Sequence, residues 1–316
     1  MEYLGRDIKP LIIVFSLAFI SSISVEDIYA EEPFFNYEAL VMGNSDYPSG
    51  RLYGPNNDAD DISKALGEAG FNVTNKDKTK NLNRAEMKSA INNFMSRLDK
   101  NSFAVIYFSG HGVEDKNENY LVPVDVDLES EEKSEDNLIS LEWILKRLRQ
   151  REARTKIIIL DACRNVPMPW QNKGAPQRRN WAEIKDLGPG VRIIYATSPN
   201  GVARAASPGE RNSVYTGALI DAFNEKHQSF SDVLDRAARL TLERTNNDQT
   251  PWSAGVDGMS FKLPPQVSVN VAQAADDTEA VVVKYDEPKM QGAKSCTPIA
   301  QVITENGVST WTKKCI

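Results

Sequence analysis

The chain lacks the features by which several large classes of protein are identified. Its 316 residues include 37 Lys and Arg against 44 Asp and Glu, and the net charge of −7 argues against a nucleic-acid-binding surface. It has neither the glycine pattern of a phosphate-binding loop nor that of a dinucleotide-binding turn, and no internal repeat is evident. Nucleic-acid binding, nucleotide binding and repeat architectures are therefore disfavoured, whereas a basic substrate or partner suits the acidic charge.

Histidine and cysteine are also scarce, with two and three residues respectively. One histidine, His111, ends the apolar run FAVIYFSGHG (103–112), where it stands between two glycines. One cysteine, Cys163, follows a second apolar run in KIIILDACRN (156–165). Such short runs are typical of buried strands in a parallel sheet, and the carboxyl ends of these strands carry the sites of open α/β folds. The flanking glycines also permit a sharp turn and close approach of a ligand at the histidine.

The spacing of these two residues favours a functional interpretation. The cysteine lies about 50 residues after the histidine, a separation typical of one family of cysteine peptidases. A lone cysteine at a strand end is commonly an inert small hydrophobe, and a lone histidine is commonly a satisfied polar residue. Because both occur here, each at the end of its own predicted strand, we favour a catalytic pair of His111 and Cys163 over two structural residues.

Predicted strands and helices alternate along most of the chain. Apolar runs predict strands at 37–42, 71–74, 103–109, 156–160, 191–196 and 259–263, and helical periodicity predicts helices at 56–70, 84–98, 140–150, 213–223 and 230–244. This alternation predicts an α/β domain over residues 31–263, with a mostly parallel sheet flanked by helices on both faces. Within it, residues 166–190 are rich in proline and predict a long exposed loop.

The N-terminus has the three-part pattern of a secretory signal peptide. A basic start, a short apolar stretch and a small polar region ending at Ala30 predict that residues 1–30 are removed. The alternative is an uncleaved membrane anchor formed by residues 11–23, although a transmembrane helix needs about 20 apolar residues. Either way we expect the body of the protein outside the cytoplasm, secreted or periplasmic in the first case and held at a membrane in the second.

The C-terminus predicts a small appendage. Residues 264–294 have little pattern and are interpreted as a linker. In residues 295–316, two alternating runs flank an Asn-Gly dipeptide, which is a strong hairpin signal. Cys296 and Cys315 lie at nearly equal distances from this turn, and an oxidising compartment permits a disulfide between them. The remaining cysteine, Cys163, would then be an odd thiol, which fits a reactive role.

Taken together, the motifs resemble those of the caspase-like cysteine peptidases, and more closely the metacaspase and bacterial orthocaspase branch. The motifs occur in the expected order as EALVMGNSDY (38–47), LYGPNNDADDISKAL (52–66), FAVIYFSGHG (103–112), YLVPVD (120–125), KIIILDACRN (156–165), VRIIYATSPN (191–200), SVYTGAL (213–219) and QTPW (249–252). The resemblance implies a caspase-like sheet and a cysteine endopeptidase with a Cys-His dyad. It implies peptide or protein substrates and no metal at the dyad.

The resemblance also implies roles for individual residues. Cys163 is expected to be the nucleophile, and His111 the base that takes the thiol proton and then protonates the leaving amine. The backbone N–H groups of Gly112 and Cys163 are implied as donors to the oxyanion. The missing side chain of Gly112 is expected to let the substrate carbonyl come close.

Substrate specificity follows from the residue two positions before the nucleophile, where caspases that cleave after aspartate have glutamine. Here that residue is Asp161, and a carboxylate beside the primary pocket repels acidic side chains and pairs with Arg or Lys. Metacaspases resemble the chain at this position and cleave after basic residues, and the branch has a second pocket carboxylate at the position of Asp58. The alternative for Asp58 is an acid in the first turn of a helix, which favours the helix dipole. Asp60 and Asp61 are expected to be solvated.

Two further properties of the branch are hypotheses for this chain. Many relatives cleave the loop after the nucleophile when they mature, and Arg178 and Arg179 are candidates for such self-cleavage. The alternative is an ordinary exposed basic loop. Many metacaspases need calcium, and the acidic residues of 125–132 offer oxygen ligands without the spacing of an EF-hand, so a solvated acidic loop is the alternative there. The sequence indicates no oligomeric state.

Two alternatives to a peptidase belong to other functional classes. A catalytically silent caspase-like scaffold or binding module would be expected to lack the cysteine or the histidine, and the chain retains both. A flavodoxin-like ligand-binding domain would explain the alternation of strands and helices, but not the motifs that end in His111 and Cys163.

The predicted disulfide can be tested by mass spectrometry of the purified protein. We expect reduction to add the mass of two hydrogens, because Cys296 and Cys315 would be oxidised in the isolated protein while Cys163 stays a free thiol. Two free thiols at Cys296 and Cys315 before reduction would contradict the pairing.

Overall fold

The computed structural model describes most of the predicted domain and parts of the C-terminal region. The described residues are 35–74, 78–128, 135–163, 181–182, 184, 186–199, 201, 203–225, 229–255, 263, 267–270, 282–285, 299–305 and 308–314. For Cys163, and for the strands after Leu263, the description is limited to the backbone. The signal or anchor segment, Arg178, Arg179, Cys296 and Cys315 therefore lie outside the described residues, as do the predictions made for them.

The strands and helices alternate over the domain. The strands are β1 (Asn36–Gly43), β2 (Asp46–Tyr47), β3 (Gly50–Arg51), β4 (Asn72–Val73), β5 (Ser102–Asp115), β6 (Glu118–Leu121), β7 (Ile139–Ser140), β8 (Thr155–Cys163), β9 (Val191–Tyr195), β10 (Trp252–Gly255), β11 (Val267–Asn270), β12 (Val282–Tyr285), β13 (Ile299–Glu305) and β14 (Val308–Lys314). The helices are α1 (Pro55–Glu68), α2 (Arg84–Ser96), α3 (Leu141–Arg149), α4 (Val214–Asn224) and α5 (Phe230–Arg244).

The central sheet has the strand order β10-β9-β8-β5-β1-β4. Every neighbouring pair is parallel except the last one at the β10 edge, where β10 runs antiparallel to β9. The predicted α/β class and mostly parallel sheet are therefore confirmed. Strands β8 and β5 lie in the middle of this sheet, which explains why both read as continuous apolar runs.

Helices cover both faces of the sheet. On one face, α2 and α3 pack on side chains such as Leu40, Ile106 and Ile158. On the other face, α1, α4 and α5 pack on the alternate side chains, among them Val105 and Ile159. Successive residues of a strand point to opposite faces, so each central strand contributes to both cores.

Polar side chains define where the helices begin. The Asn83 side chain accepts a hydrogen bond from the Glu86 N–H at 3.0 Å, and the Glu86 carboxylate accepts one from the Asn83 N–H at 2.9 Å, which forms a capping box. Serine hydroxyls cap α3, α4 and α5 in the same position. These caps satisfy N–H groups that have no partner within the helix.

Strand β5 is longer than the sequence predicted. Its pairing with β1 ends at Ser109, but its parallel pairing with β8 continues to His111, and from Gly112 to Asp115 it pairs antiparallel with β6, which pairs in turn with β7. This ribbon covers a small third core that includes Tyr47, Val113, Tyr120 and Val122. The SGHG motif interrupts the apolar run but not the extended backbone, which is why the run alone underestimated the strand.

The C-terminal region contains paired strands. Strands β11 and β12 pair antiparallel within residues 264–294, the stretch predicted to be a linker. Strands β13 and β14 pair with Glu305 opposite Val308, which leaves the two-residue connection of a hairpin. The predicted strand at 259–263 lies mostly outside the described residues, and β10 was not predicted. No helix in the described part of the chain is long and apolar enough to cross a membrane.

The end of β1 approaches the start of α1 closely, and this contact can be tested by substitution. A Cβ atom added at Gly43 would lie 2.2 Å from the Pro55 carbonyl oxygen. We expect Gly43→Ala to lower the free energy of unfolding by about 1–3 kcal/mol, because backbone must move to admit the methyl group. Urea denaturation measures this change.

Gly67→Ala is the matched control, because in this helical position the added Cβ would have no described atom within 4 Å beyond its chain neighbours and the backbone of its own helix. It should raise the free energy of unfolding by about 0.5–1 kcal/mol through the better helix propensity of alanine. Equal effects of the two substitutions would contradict the close approach at Gly43.

Candidate active site

The register of β5 and β8 brings the ends of the two motifs together. The parallel pairing extends from Phe103 opposite Thr155 to His111 opposite Cys163, so the histidine and the cysteine form the last pair of the ladder. Neighbouring strands lie about 4.8 Å apart, a distance that side chains can span. The structure thus places the backbones of the two predicted catalytic residues side by side, while the side chain of Cys163 lies outside its described part.

His111 is buried and uncharged at neutral pH. Its side chain packs against the ring of Tyr47, with 4.5 Å between ring centroids and an angle of 53° between planes. Burial lowers the pKa of His111 to about 4, so the neutral imidazole can accept a proton at pH 7. Among the described residues, its Nδ1 has no hydrogen-bond partner.

The backbone of His111 is held on the side away from β8. Its N–H donates to Tyr47 Oη at 3.0 Å, and its carbonyl accepts from the Val122 N–H at 3.0 Å. Because backbone groups alternate in direction along a strand, the N–H of the next residue, Gly112, points toward β8. Cys163 is in the last pair of the β5–β8 ladder and Gly112 follows its partner His111, so the two predicted oxyanion donors lie at the end of this ladder.

An indole side chain occupies the space beside Gly112. A Cβ atom there would lie 2.8 Å from Cη2 of Trp181, a buried residue that also packs on Tyr195. Asn119 holds this indole in place through the next residue, since its amide bonds both backbone groups of Ala182. The missing side chain thus makes room for an indole, and the approach of the substrate carbonyl at Gly112 stays a prediction.

Asp58 and Asp161 line the same pocket. Asp58 lies in the first turn of α1 and Asp161 lies near the end of β8, and both are buried. Leu52, Tyr53, Ser109 and Ser213 are among the other residues that line this pocket. The structure therefore brings the two predicted pocket carboxylates together, and Asp161 lies two residues before Cys163 on β8.

Three hydroxyl-bearing residues that the sequence did not indicate hold the carboxylates. Ser213 contacts both of them, since its N–H donates to Asp58 Oδ1 at 3.0 Å and its hydroxyl donates to Asp161 Oδ2. The Thr216 hydroxyl donates to Asp161 Oδ2 at 2.6 Å, and the Ser109 hydroxyl donates to Asp58 Oδ2 at 2.9 Å. Ser213 also caps α4, so the positive end of a helix dipole faces the carboxylates.

Burial dominates the electrostatics of this pair. Burial and then the charge of Asp161 raise the pKa of Asp58 to about 7, against the hydrogen bonds from Ser109 and Ser213. Burial also raises the pKa of Asp161. The pocket therefore holds carboxyl groups whose ionisation is costly until a positive charge arrives.

The other acidic residues near the start of α1 are outside the pocket. Asp60 pairs with Lys80 at 2.7 Å, and Asp61 pairs with Arg211 at 2.7 Å. Of the acidic stretch at 125–132, Asp125 accepts a hydrogen bond from the Arg84 N–H at 3.1 Å, while Glu129, Glu131 and Glu132 lie outside the described residues. Within the described ranges, no group of three or more His, Cys, Asp or Glu is arranged to hold a metal ion.

Comparison with known proteins agrees with the fold described above. A family model described as caspase domain (Peptidase_C14) matches residues 38–257. The human mucosa-associated lymphoid tissue lymphoma translocation protein 1 (Homo sapiens) is 31% identical over 127 residues, which are 40% of this chain and 15% of that protein. Its homolog from Mus musculus is 31% identical over 127 residues, which are 40% of this chain and 14% of that protein. The similarity thus spans a small part of these relatives.

The raised pKa of Asp58 predicts a pH-dependent stability. Between its unfolded pKa of about 4 and its folded pKa near 7, the folded protein binds more protons than the unfolded one, so stability falls as pH rises through this range. Asp58→Asn removes this effect while an amide keeps the size of the carboxyl. Relative to wild type, the variant should gain on the order of 2–4 kcal/mol between pH 4 and pH 8.

Urea denaturation at several pH values measures this difference. Asp60→Asn, which removes an exposed carboxylate from the same helix, controls for the loss of one charge. A constant difference between Asp58→Asn and wild type from pH 4 to pH 8 would contradict the raised pKa.

Proposed function

The chain belongs to the caspase-domain family, Peptidase_C14, and we propose that it is an endopeptidase that uses Cys163 and His111 to cleave peptide bonds after Arg or Lys. Membership of this family supports a cysteine peptidase in general. The observation that carries the finer proposal is the buried carboxylate pair, Asp58 and Asp161, in a pocket beside the end of the β5–β8 ladder.

The pairing of His111 with Cys163 supports the two catalytic roles. The neutral imidazole of His111 accepts the thiol proton, and the resulting thiolate attacks the carbonyl carbon of the substrate. The imidazolium then gives its proton to the leaving amine, and the acyl group stays on the cysteine sulfur. Water, deprotonated by the same imidazole, hydrolyses this thioester and restores the thiol.

The oxyanion of the tetrahedral intermediate needs donors that are already oriented. The backbone N–H groups of Gly112 and Cys163 lie at the end of the β5–β8 ladder, on the edge that a substrate would reach. N–H groups in a ladder donate to carbonyl groups of the neighbouring strand. If these N–H groups are to bind the oxyanion, their hydrogen bonds to the neighbouring strand must therefore break when the substrate carbonyl binds.

The pocket favours a cationic side chain next to the cleaved bond. A guanidinium or ammonium group lowers the pKa of both carboxyl groups and forms charge-assisted hydrogen bonds with them. An aspartate side chain would instead place a third carboxylate beside Asp58 and Asp161, and such like-charge contacts cost several kcal/mol. The pocket thus supports the selection of substrates by the charge of the side chain next to the cleaved bond.

Further parts of the proposal rest on the sequence. We propose that the N-terminal segment directs export and that the chain belongs to the metacaspase and orthocaspase branch. The same basic specificity would make Arg178 and Arg179 substrates for self-cleavage. Calcium dependence is a separate proposal, and no step of the reaction above uses the ion.

A panel of reporter peptides that differ only before the cleaved bond tests this function. With the purified protein, we expect peptides with Arg or Lys to be hydrolysed at least about 100-fold faster than one with Asp, as the repulsion of several kcal/mol implies. Citrulline, the uncharged analogue of arginine, should be a poor substrate because it has the shape without the charge. Cys163→Ala should abolish all turnover.

Variants of the pocket show whether charge is recognised there. Asp58→Asn and Asp161→Asn should each lower kcat/KM for the Arg peptide by about 10–100-fold, the usual cost of losing a charged partner. They should change kcat/KM for the citrulline peptide much less, and the control Asp60→Asn should match wild type. Cleavage after Asp but not Arg would refute the pocket assignment. Absence of turnover with and without calcium, with Cys163 intact and unreactive, would favour a silent scaffold.

A further inference from the structure

We propose that Tyr47 is the positioning residue for His111, and that it fixes the imidazole where an acidic third residue does so in other nucleophile–histidine pairs. This inference rests on the proposed peptidase function of the same site. It concerns a residue that touches the histidine, not the substrate.

The surroundings of His111 lead to this inference. A histidine that acts as a base is usually oriented by a third group that binds its other ring nitrogen. Here the histidine is 8% exposed and no described residue bonds its Nδ1. The ring of Tyr47, 4.5 Å away between centroids, is the described aromatic surface against which the imidazole rests.

Tyr47 also fixes the backbone from which the imidazole projects. Its Oη accepts from the His111 N–H at 3.0 Å and donates to the Val122 carbonyl at 3.2 Å. The Val122 N–H in turn donates to the His111 carbonyl. Both backbone polar groups of the histidine are therefore bound, and its strand end is tied to the segment that follows β6.

The tyrosine itself has little freedom to move. It is 5% exposed, and a Cβ atom at Gly110 would lie 2.7 Å from its Oη, so that glycine is needed for the hydroxyl to reach the strand. Burial raises the pKa of Tyr47 far above its ordinary value, and the phenol keeps the proton that it donates. Asn44 binds the same Val122 carbonyl at 3.1 Å, which anchors the acceptor from a second direction.

The position of a catalytic histidine affects the rate of the chemical step more than it affects the affinity for substrate. A displacement of about 1 Å in a catalytic group can lower the rate about 100-fold. The pocket carboxylates are held by Ser109, Ser213 and Thr216, none of which contacts Tyr47 among the hydrogen bonds described. Loss of Tyr47 should therefore lower kcat and leave KM nearly unchanged.

Two substitutions separate the hydroxyl from the ring. Tyr47→Phe keeps the ring and leaves the His111 N–H without its acceptor, and we expect kcat for the Arg peptide to fall about 10-fold. Tyr47→Leu also removes the aromatic surface, and we expect a fall of about 100-fold or more. KM should stay within about twofold of wild type in both variants, since binding is not the affected step.

Tyr120→Phe is the matched control. Tyr120 is buried in the same small core, but its hydroxyl donates to Glu118 at 2.8 Å. This variant should keep the wild-type kcat. A similar loss of kcat in Tyr120→Phe, or losses that follow the unfolded fraction of each variant, would overturn the proposal in favour of a merely structural tyrosine.

Nuclear magnetic resonance tests the contact without any turnover. The chain has two histidines, so His227→Gln leaves His111 as the sole imidazole. In this background, Tyr47→Leu should shift the ring-proton resonances of His111 and raise its pKa toward the ordinary value, whereas Tyr120→Phe should do neither. Unchanged His111 resonances in Tyr47→Leu would overturn the proposal. A wild-type protein without Cys163-dependent turnover would instead refute the peptidase function, and the resonances would still decide whether Tyr47 positions the histidine.

Discussion

The parallel register between β5 and β8 is the constraint on which the rest of the site depends. A slip by one residue would send every side chain of a strand to the opposite face. Here it would separate Ser109 from Asp161, which now face each other across the ladder, and would shift His111 relative to Cys163. Because apolar side chains on both faces of these strands are buried against helices, the two cores fix this register.

The same register concentrates an electrostatic cost at one edge of the sheet. Buried carboxyl groups are unfavourable unless hydrogen bonds or a counter-charge compensate them. Ser213 and Thr216 of one helix start compensate Asp161, while Ser109 and the Ser213 N–H compensate Asp58. The raised pKa of Asp58 shows that the compensation is incomplete. A cationic substrate side chain would supply the missing charge, which links a local loss of stability to substrate selection.

Sequence reasoning succeeded where a signal is long and local. The helix at 230–244 was predicted with its observed bounds because its apolar period is regular and Ser229 caps it. It failed for short strands such as β7 and β10, because a period of two cannot be recognised in two to four residues. Their pairing partners, which lie far away in sequence, are what make these segments strands.

The same difference between local sequence signals and contacts distant in sequence applies to the residues of the site. His111 and Cys163 are predicted because each follows its own apolar run, whereas the pocket roles of Asp161 and Asp58 are predicted through the family resemblance. Ser213 and Tyr47 were not, since their contacts with Asp58 and His111 span 155 and 64 residues of sequence.

Ser213 shows why such residues escape notice. As the cap of α4 its hydroxyl accepts from the Thr216 N–H at 2.9 Å, and this local role fully explains a serine at that position. The same oxygen also donates to Asp161, because a hydroxyl can accept and donate at once. Replacing it by another capping residue such as aspartate would keep the helix start and put a carboxylate against Asp161. The site therefore constrains this position more tightly than the helix does, and only the folded arrangement of α1, β8 and α4 reveals the difference.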